Sequence, residues 1–287
     1  MANGEHKWLV ETDWLASHLE APDLVILDGS MHLPTTKRNA KAEFLAAHIP
    51  GAMFFDIDDI ADETSALPHM LPSPTKFASR MKKMGVGDGM HVVAYDSEGL
   101  YSAARVWWMF RAMGHEQVQV LNGGLKKWKA EGHPLEDGPP RRRTERHYTA
   151  RLNAGLVRDV GDVKALVAGK AAQIVDARAA ARFEGTAPEP RQGLRSGHIP
   201  GSRNVPFASL LNPDGTLKPA AELRAIFAKA GVDPGKPVVA SCGSGVTAGV
   251  IALALALLGR ADAAVYDGSW TEWGGDPALP IETGPAR

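Results

Sequence analysis

The chain has 287 residues, a net charge of −1, 44% hydrophobic and 23% charged residues, the profile of a globular protein long enough for two domains. Without a basic excess, neither nucleic acid nor an anionic membrane is indicated, and a small molecule or another protein fits better as partner. One cysteine, Cys242, excludes an intrachain disulfide framework and any CxxC redox or structural zinc site, and it suits a reducing, cytoplasmic setting.

In chain order, residues 1–20 mix Trp8, Leu9, Val10, Trp14 and Leu15 with Glu11, Asp13 and Glu20, and read as neither a signal peptide nor a transit peptide. Leu24–Asp28 is a first apolar strand, and a His48-Ile49-Pro50-Gly51 turn follows it. Phe77, Met81 and Met84 carry helical spacing, and His91–Tyr95 is a further strand that runs into Asp96. Trp107, Trp108 and Trp128 are expected in the core or at a domain contact. Gly138-Pro139-Pro140-Arg141-Arg142-Arg143 reads as an extended linker whose arginine triplet lies on solvated surface.

Beyond the linker the pattern returns. Gln173–Asp176 repeats the first strand, His198-Ile199-Pro200-Gly201 repeats the turn, and Leu223, Ile226, Phe227 and Ala230 space a matching helix. Val238–Ser241 repeats the strand before Asp96, while Tyr266-Asp267-Gly268-Ser269 with Trp273 parallels Leu121-Asn122-Gly123-Gly124 with Trp128. Drifting offsets of ~145 to 150 residues indicate a duplicated domain with loop insertions. The expected organisation is a first domain over 1–140, a linker over 141–155 and a second domain over 156–287. Alternating strands and helices give an α/β class, each copy a mostly parallel sheet flanked by helices. The longest apolar run, Val250–Leu258, is about half of the ~20 residues that span a bilayer and reads as a buried helix.

Cys242 stands where an apolar strand meets the loop Cys242-Gly243-Ser244-Gly245-Val246-Thr247. A helix expected to start near Gly245 or Val246 would turn its unpaired N–H groups toward the sulfur and favour a thiolate, and the two glycines let the loop amides converge. In the first copy Asp96 occupies the matching place. A carboxylate cannot accept sulfur, so that copy is expected to be non-catalytic. His48 and His198 occur in both copies, as do Asp28 and Asp176, and are expected to fix backbone geometry.

The tandem pattern, the paired His-Ile-Pro-Gly turns and the Cys242–Thr247 loop resemble the rhodanese-type sulfurtransferases over nearly the whole chain. The resemblance implies two tandem rhodanese-like domains, a persulfide formed on Cys242, and no metal or organic cofactor. Thiosulfate-preferring members carry basic residues directly after the loop cysteine, where this chain has Gly243 and Ser244. The neutral loop is similar to that of members using 3-mercaptopyruvate, whose carboxylate the resemblance assigns to Arg182 and Arg191. Guanidinium forks bind such groups in a bidentate manner. The loop residues Gly243, Gly245, Val246 and Thr247 would bind the reacting sulfur. The resemblance further implies a proton relay of Ser244, His69 and Asp58, with plain hydrogen bonding among them as the alternative.

With no second cysteine, the persulfide must pass to an outside acceptor, which would be a small thiol, cyanide in an assay, or a dithiol protein such as thioredoxin. Competing readings are a thiosulfate sulfurtransferase and a non-enzymatic redox sensor using Cys242. A cysteine phosphatase would need an arginine where Ala248 stands, and a serine hydrolase would need glycines where Cys242 and Val246 flank Ser244.

Overall fold

A computed structural model describes residues 7–286; the outermost residues of the two expected domains, 1–6 and 287, lie outside the described set. The first half runs β1 (Leu9–Val10), α1 (Thr12–His18), β2 (Leu24–Asp28), α2 (Ala40–Ala46), β3 (Met53–Phe54), α3 (Pro74–Lys83), β4 (His91–Tyr95), α4 (Ala103–Ala112), β5 (Val118–Leu121) and α5 (Gly124–Ala130). The second half runs β6 (Val157–Arg158), α6 (Val160–Gly169), β7 (Gln173–Asp176), α7 (Ala180–Phe183), β8 (Arg203–Asn204), α8 (Ala220–Lys229), β9 (Val238–Ser241), α9 (Ala248–Leu257), β10 (Ala264–Tyr266) and α10 (Ser269–Trp273).

Two five-stranded sheets result, ordered β1-β5-β4-β2-β3 and β6-β10-β9-β7-β8, and every pairing in both is parallel. The identical order is the duplication made visible. Central strands covered on both faces read as continuous apolar runs: β2 and β9 are buried at every position. Leu27 pairs with Ala94 and Val175 with Ala240, so Asp28 and Asp176 end their strands beside Tyr95 and Ser241. In each copy the next residue of the central strand, Asp96 or Cys242, emerges at the carboxyl edge, where parallel sheets place their ligands.

The helices obey local rules as well. Ser73 caps α3 by accepting the Lys76 amide at 3.2 Å, with Pro74 in the first turn. The helix ends in a Schellman turn, Gly85 N–H to Lys82 C=O and Val86 N–H to Met81 C=O, with Gly85 at φ +68°. α8 ends identically through Gly231 and Val232. α9 is buried along nearly its whole circumference, as an all-apolar helix must be. Among the described residues no helix is long and apolar enough to cross a membrane.

The paired histidines hold corners. His48 exchanges backbone hydrogen bonds with Glu136, and its Nδ1 lies 2.7 Å from the Phe44 carbonyl. His198 repeats this with Glu282 and, at 2.8 Å, the Phe183 carbonyl. Trp128 and Trp273 each donate their indole N–H to a proline carbonyl, of Pro134 and Pro280, at 2.7 Å. Trp107 and Trp108 are fully buried.

The chain divides into two compact units. The first holds residues up to Asp62, Leu71–Asn153 and Asn212–Leu217; the second holds Glu63–Met70, Ala154–Leu211 and Lys218 onward. Each half of the sequence therefore contributes a short segment to the unit formed mainly by the other half. In the first unit, the turn at Gly215 lies against Gly99, and the Leu217 amide donates to Asn122 Oδ1 at 2.9 Å.

Candidate active site

β9 delivers Cys242 just past Ser241, and the sulfur-bearing residue is only 2% exposed. Its backbone is held from both sides by the start of α10. The Cys242 amide donates to Ser269 Oγ at 3.1 Å, and its carbonyl accepts the Trp270 amide at 3.0 Å. The Gly243 carbonyl accepts both the amide and the hydroxyl of Thr271, at 2.8 and 2.7 Å. Gly245 turns the chain at φ +78°, and Ser244, Val246 and Thr247 are buried with it.

The helix begins later than the sequence spacing implied. α9 opens at Ala248 instead of Gly245 or Val246, because Gly245 is left-handed and Val246–Thr247 form a preliminary turn closed by Gly249 N–H to Val246 C=O at 3.1 Å. The loop thus spans all six residues from Cys242 to Thr247, immediately ahead of a helix N-terminus.

The first copy shows what such a loop binds. The Asp96 carboxylate accepts the amides of Glu98, Tyr101, Ser102 and Ala103 at 2.7–2.9 Å. Burial raises the Asp96 pKa, and these four amides oppose the rise. Three of the donors lie at the entrance to α4, so the arrangement is an anion cradle closed by its own side chain.

Above the Cys242 loop sits a chain of charges. Asp176 receives Arg178 Nε at 3.0–3.1 Å and Nη2 at 2.7 Å, and Arg178 Nη1 donates to Glu189 at 2.7 Å. Burial works against the Arg178 charge, but the carboxylates of Asp176 and Glu189 more than offset it and raise its pKa. Glu189, with a side chain 1% exposed, also accepts Arg182 Nε at 3.2 Å and Nη2 at 2.5 Å. This clamp sets Arg182 over the loop: a Cβ on Gly243 would lie 3.1 Å from Arg182 Nη2. Gly243 therefore leaves the space that the guanidinium approaches.

Arg191 Nη2 lies 3.2 Å from His69 Nε2. Since a guanidinium only donates, this contact requires the imidazole to accept at Nε2. His69 belongs to the Glu63–Met70 segment of the second unit, which explains how it meets Arg191 despite the sequence distance. Asp58 belongs to the first unit, where its amide donates to Asp56 Oδ1 at 3.1 Å.

Two supporting residues escaped the sequence reading. Glu189, between two prolines in a polar stretch, carries little sign of burial. Ser269 carries more: it holds φ +50°, is buried, and donates to the Tyr266 carbonyl at 2.8 Å while accepting from Cys242. Its counterpart is Gly124, at φ +54°. A serine in place of the glycine of the other copy was the available signal.

The rhodanese-like domain model matches residues 11–131 and 159–276. The 3-mercaptopyruvate sulfurtransferase of Escherichia coli K12 is 47% identical over 276 residues, 96% of this chain and 98% of that protein. An Arabidopsis thaliana relative described as thiosulfate/3-mercaptopyruvate sulfurtransferase 1, mitochondrial, is 44% identical over 295 residues, 96% of this chain and 78% of its own. The crystal structure of Escherichia coli SseA, a 3-mercaptopyruvate sulfotransferase, superposes with a TM-score of 0.84 at 46% identity, covering 92% of this chain and 98% of that one.

Proposed function

Because this chain belongs to the rhodanese family and is a sulfur-transferring enzyme, we propose that Cys242 takes sulfur from 3-mercaptopyruvate and passes it to a thiol. The observation that carries the reading is the seat of Arg182, clamped by Glu189 above a loop whose Gly243 has no side chain. A fixed fork beside a neutral loop suits a donor whose charge is a carboxylate set apart from its sulfur.

In the first half-reaction the Cys242 thiolate attacks the thiol sulfur of the donor, while Arg182 and Arg191 hold the carboxylate and carbonyl end. A sulfur–sulfur bond forms as the carbon–sulfur bond breaks. The released electron pair stays on carbon as the enolate, which takes up a proton to become pyruvate. Amides of the Gly243–Thr247 loop stabilise charge on the sulfur, much as their counterparts surround Asp96. Ser244 handles the proton, with His69 and Asp58 in the relay that the family resemblance implies.

In the second half-reaction an acceptor thiolate attacks the outer sulfur of the persulfide and regenerates the Cys242 thiolate. Small thiols and a dithiol protein such as thioredoxin are the proposed acceptors, with cyanide as an assay substitute. Thiosulfate is a secondary donor, in keeping with the double name of the Arabidopsis relative. The single cysteine supports a reducing, cytoplasmic location.

Pyruvate release with 3-mercaptopyruvate and a thiol, measured beside thiosulfate with cyanide, tests the assignment. Turnover favouring mercaptopyruvate and abolished by Cys242→Ser is expected, with a large rise in KM for Arg182→Ala and Arg191→Ala. Preference for thiosulfate would overturn the donor. Silence on both donors, with a peroxide response at Cys242 that survives both arginine replacements, would favour the sensor reading.

A further inference from the structure

The first unit carries a groove of about 890 Å³ between α2, β3, the C-terminal end of α3 and the stretch 140–145. Leu45, 40% exposed, and the partly buried Phe54 and Met84 give it an apolar floor. Six basic side chains line it against three acidic ones. Three of the cations are committed: Arg80 to Asp59 at 2.8 Å, Arg141 to Glu136 at 3.0 Å, and Arg143 to the Leu24 carbonyl at 3.1 Å.

The acidic residues also have partners. Asp59 holds Arg80, Glu145 lies 3.6 Å from Lys82, and Asp56 Oδ1 accepts the amides of Asp58 and Asp59. Lys41, Lys83 and Arg142 are different. They come from α2, α3 and the linker, all are exposed, and none forms an ion pair among the described residues. Of the arginine triplet, Arg141 and Arg142 are exposed as expected, while Arg143 is partly buried against the Leu24 carbonyl; Arg142 adds to the groove's surplus of six cations over three carboxylates.

We propose that this groove docks an extended acidic segment of a partner protein. β3, an edge strand of only two residues, is too short to template an added strand, so recognition rests on the side chains, three uncommitted cations around an apolar floor. A segment lying in the groove would direct acidic side chains to Lys41, Lys83 and Arg142 and apolar ones to Leu45, Phe54 and Met84. The same cations repel basic segments, so the groove selects by charge. None of these residues belongs to the sulfur-transfer machinery, so docking and turnover are separable.

The test uses the full chain and short fluorescein-labelled peptides, one of mixed glutamate and leucine and one with lysine replacing each glutamate, read by anisotropy at low and high salt. The acidic peptide is expected to bind and the basic one not. Binding should weaken with salt, and the combined change Lys41→Glu, Lys83→Glu and Arg142→Glu should weaken it roughly tenfold to a hundredfold. The glutamine triple variant, milder for folding, should give an intermediate loss, and both variants should retain mercaptopyruvate turnover with a small thiol. Equal binding of the two peptides, or unchanged affinity in the glutamine variant, would overturn the proposal. So would competition by inorganic tripolyphosphate at matching affinity, which would mark a general anion patch.

Discussion

Replacing Ser269 separately by alanine and by glycine divides two contributions that the native residue combines. Its hydroxyl accepts the Cys242 amide at 3.1 Å, and its backbone holds φ +50° in a fully buried position. Alanine keeps the left-handed strain and leaves a buried N–H without its acceptor, a loss of about 1–3 kcal/mol. Glycine loses the same hydrogen bond but relieves the conformational strain, which costs roughly 1–2 kcal/mol for a residue with a Cβ; the greater unfolded-state entropy of glycine returns part of that gain. The glycine variant should therefore be more stable than alanine by about 1 kcal/mol, as urea denaturation will show. Activity should not follow stability. Both variants remove one of the two bonds that tie Cys242 to α10, leaving its carbonyl held by the Trp270 amide, so both should lose about tenfold in kcat, equivalent to ~1.4 kcal/mol, while KM for mercaptopyruvate changes little with Arg182 and Arg191 intact. A glycine variant with native kcat, or an alanine variant as stable as glycine, would refute this account.

Three further perturbations address the charges. Glu189→Ala strips a shared carboxylate from Arg178 and Arg182; an expected destabilisation of about 3–5 kcal/mol, read by denaturation, should accompany a raised KM, and an unchanged KM would deny that Glu189 positions Arg182. Asp96→Ala leaves four converging amides facing a methyl group, and should cost about 3 kcal/mol or more in chemical denaturation, with faster hydrogen exchange at Tyr101 to Ala103. Asp28 has its pKa pushed up from 3.8 to about 6, chiefly by burial and against the hydrogen bonds from Ser30. The folded state thus binds this proton more tightly, and the associated stability, about 3 kcal/mol, is present below pH ~4 and lost as pH rises through ~6. Asp28→Asn should flatten the stability profile across that window by one proton, measured from urea midpoints at successive pH values; an unaltered slope would show that Asp28 ionises freely in the fold.

Much of the architecture was legible because duplication states it twice. Fully buried strands such as Val238–Ser241 must be apolar, and each copy repeats its histidine turn and its tryptophan, so the alternation of strands and helices could be aligned without knowing a single contact. The start of α9 was misplaced by two or three residues, since left-handed Gly245 and the turn at Val246–Thr247 are consequences of loop closure and not of helix propensity. Glu189 was hidden for another reason: a carboxylate between prolines reads as solvated loop, and only Arg178 and Arg182 arriving from α7 and the turn before it make its burial tolerable. The meeting of Arg191 and His69 depends on contacts across more than a hundred residues, which no local pattern encodes.

The crossed segments change what the two halves are to each other. Residues 63–70 complete the unit that holds Cys242, and residues 212–217 complete the one that holds Asp96. A gene encoding either half alone would yield a fold missing a flap of its own and displaying an orphaned flap of its sibling's. Neither half of the sequence is then a whole compact unit by itself: each is completed by a short stretch of the other. The half that carries Asp96 in place of a thiol therefore has a structural part in the unit that holds Cys242, to which it supplies residues 63–70.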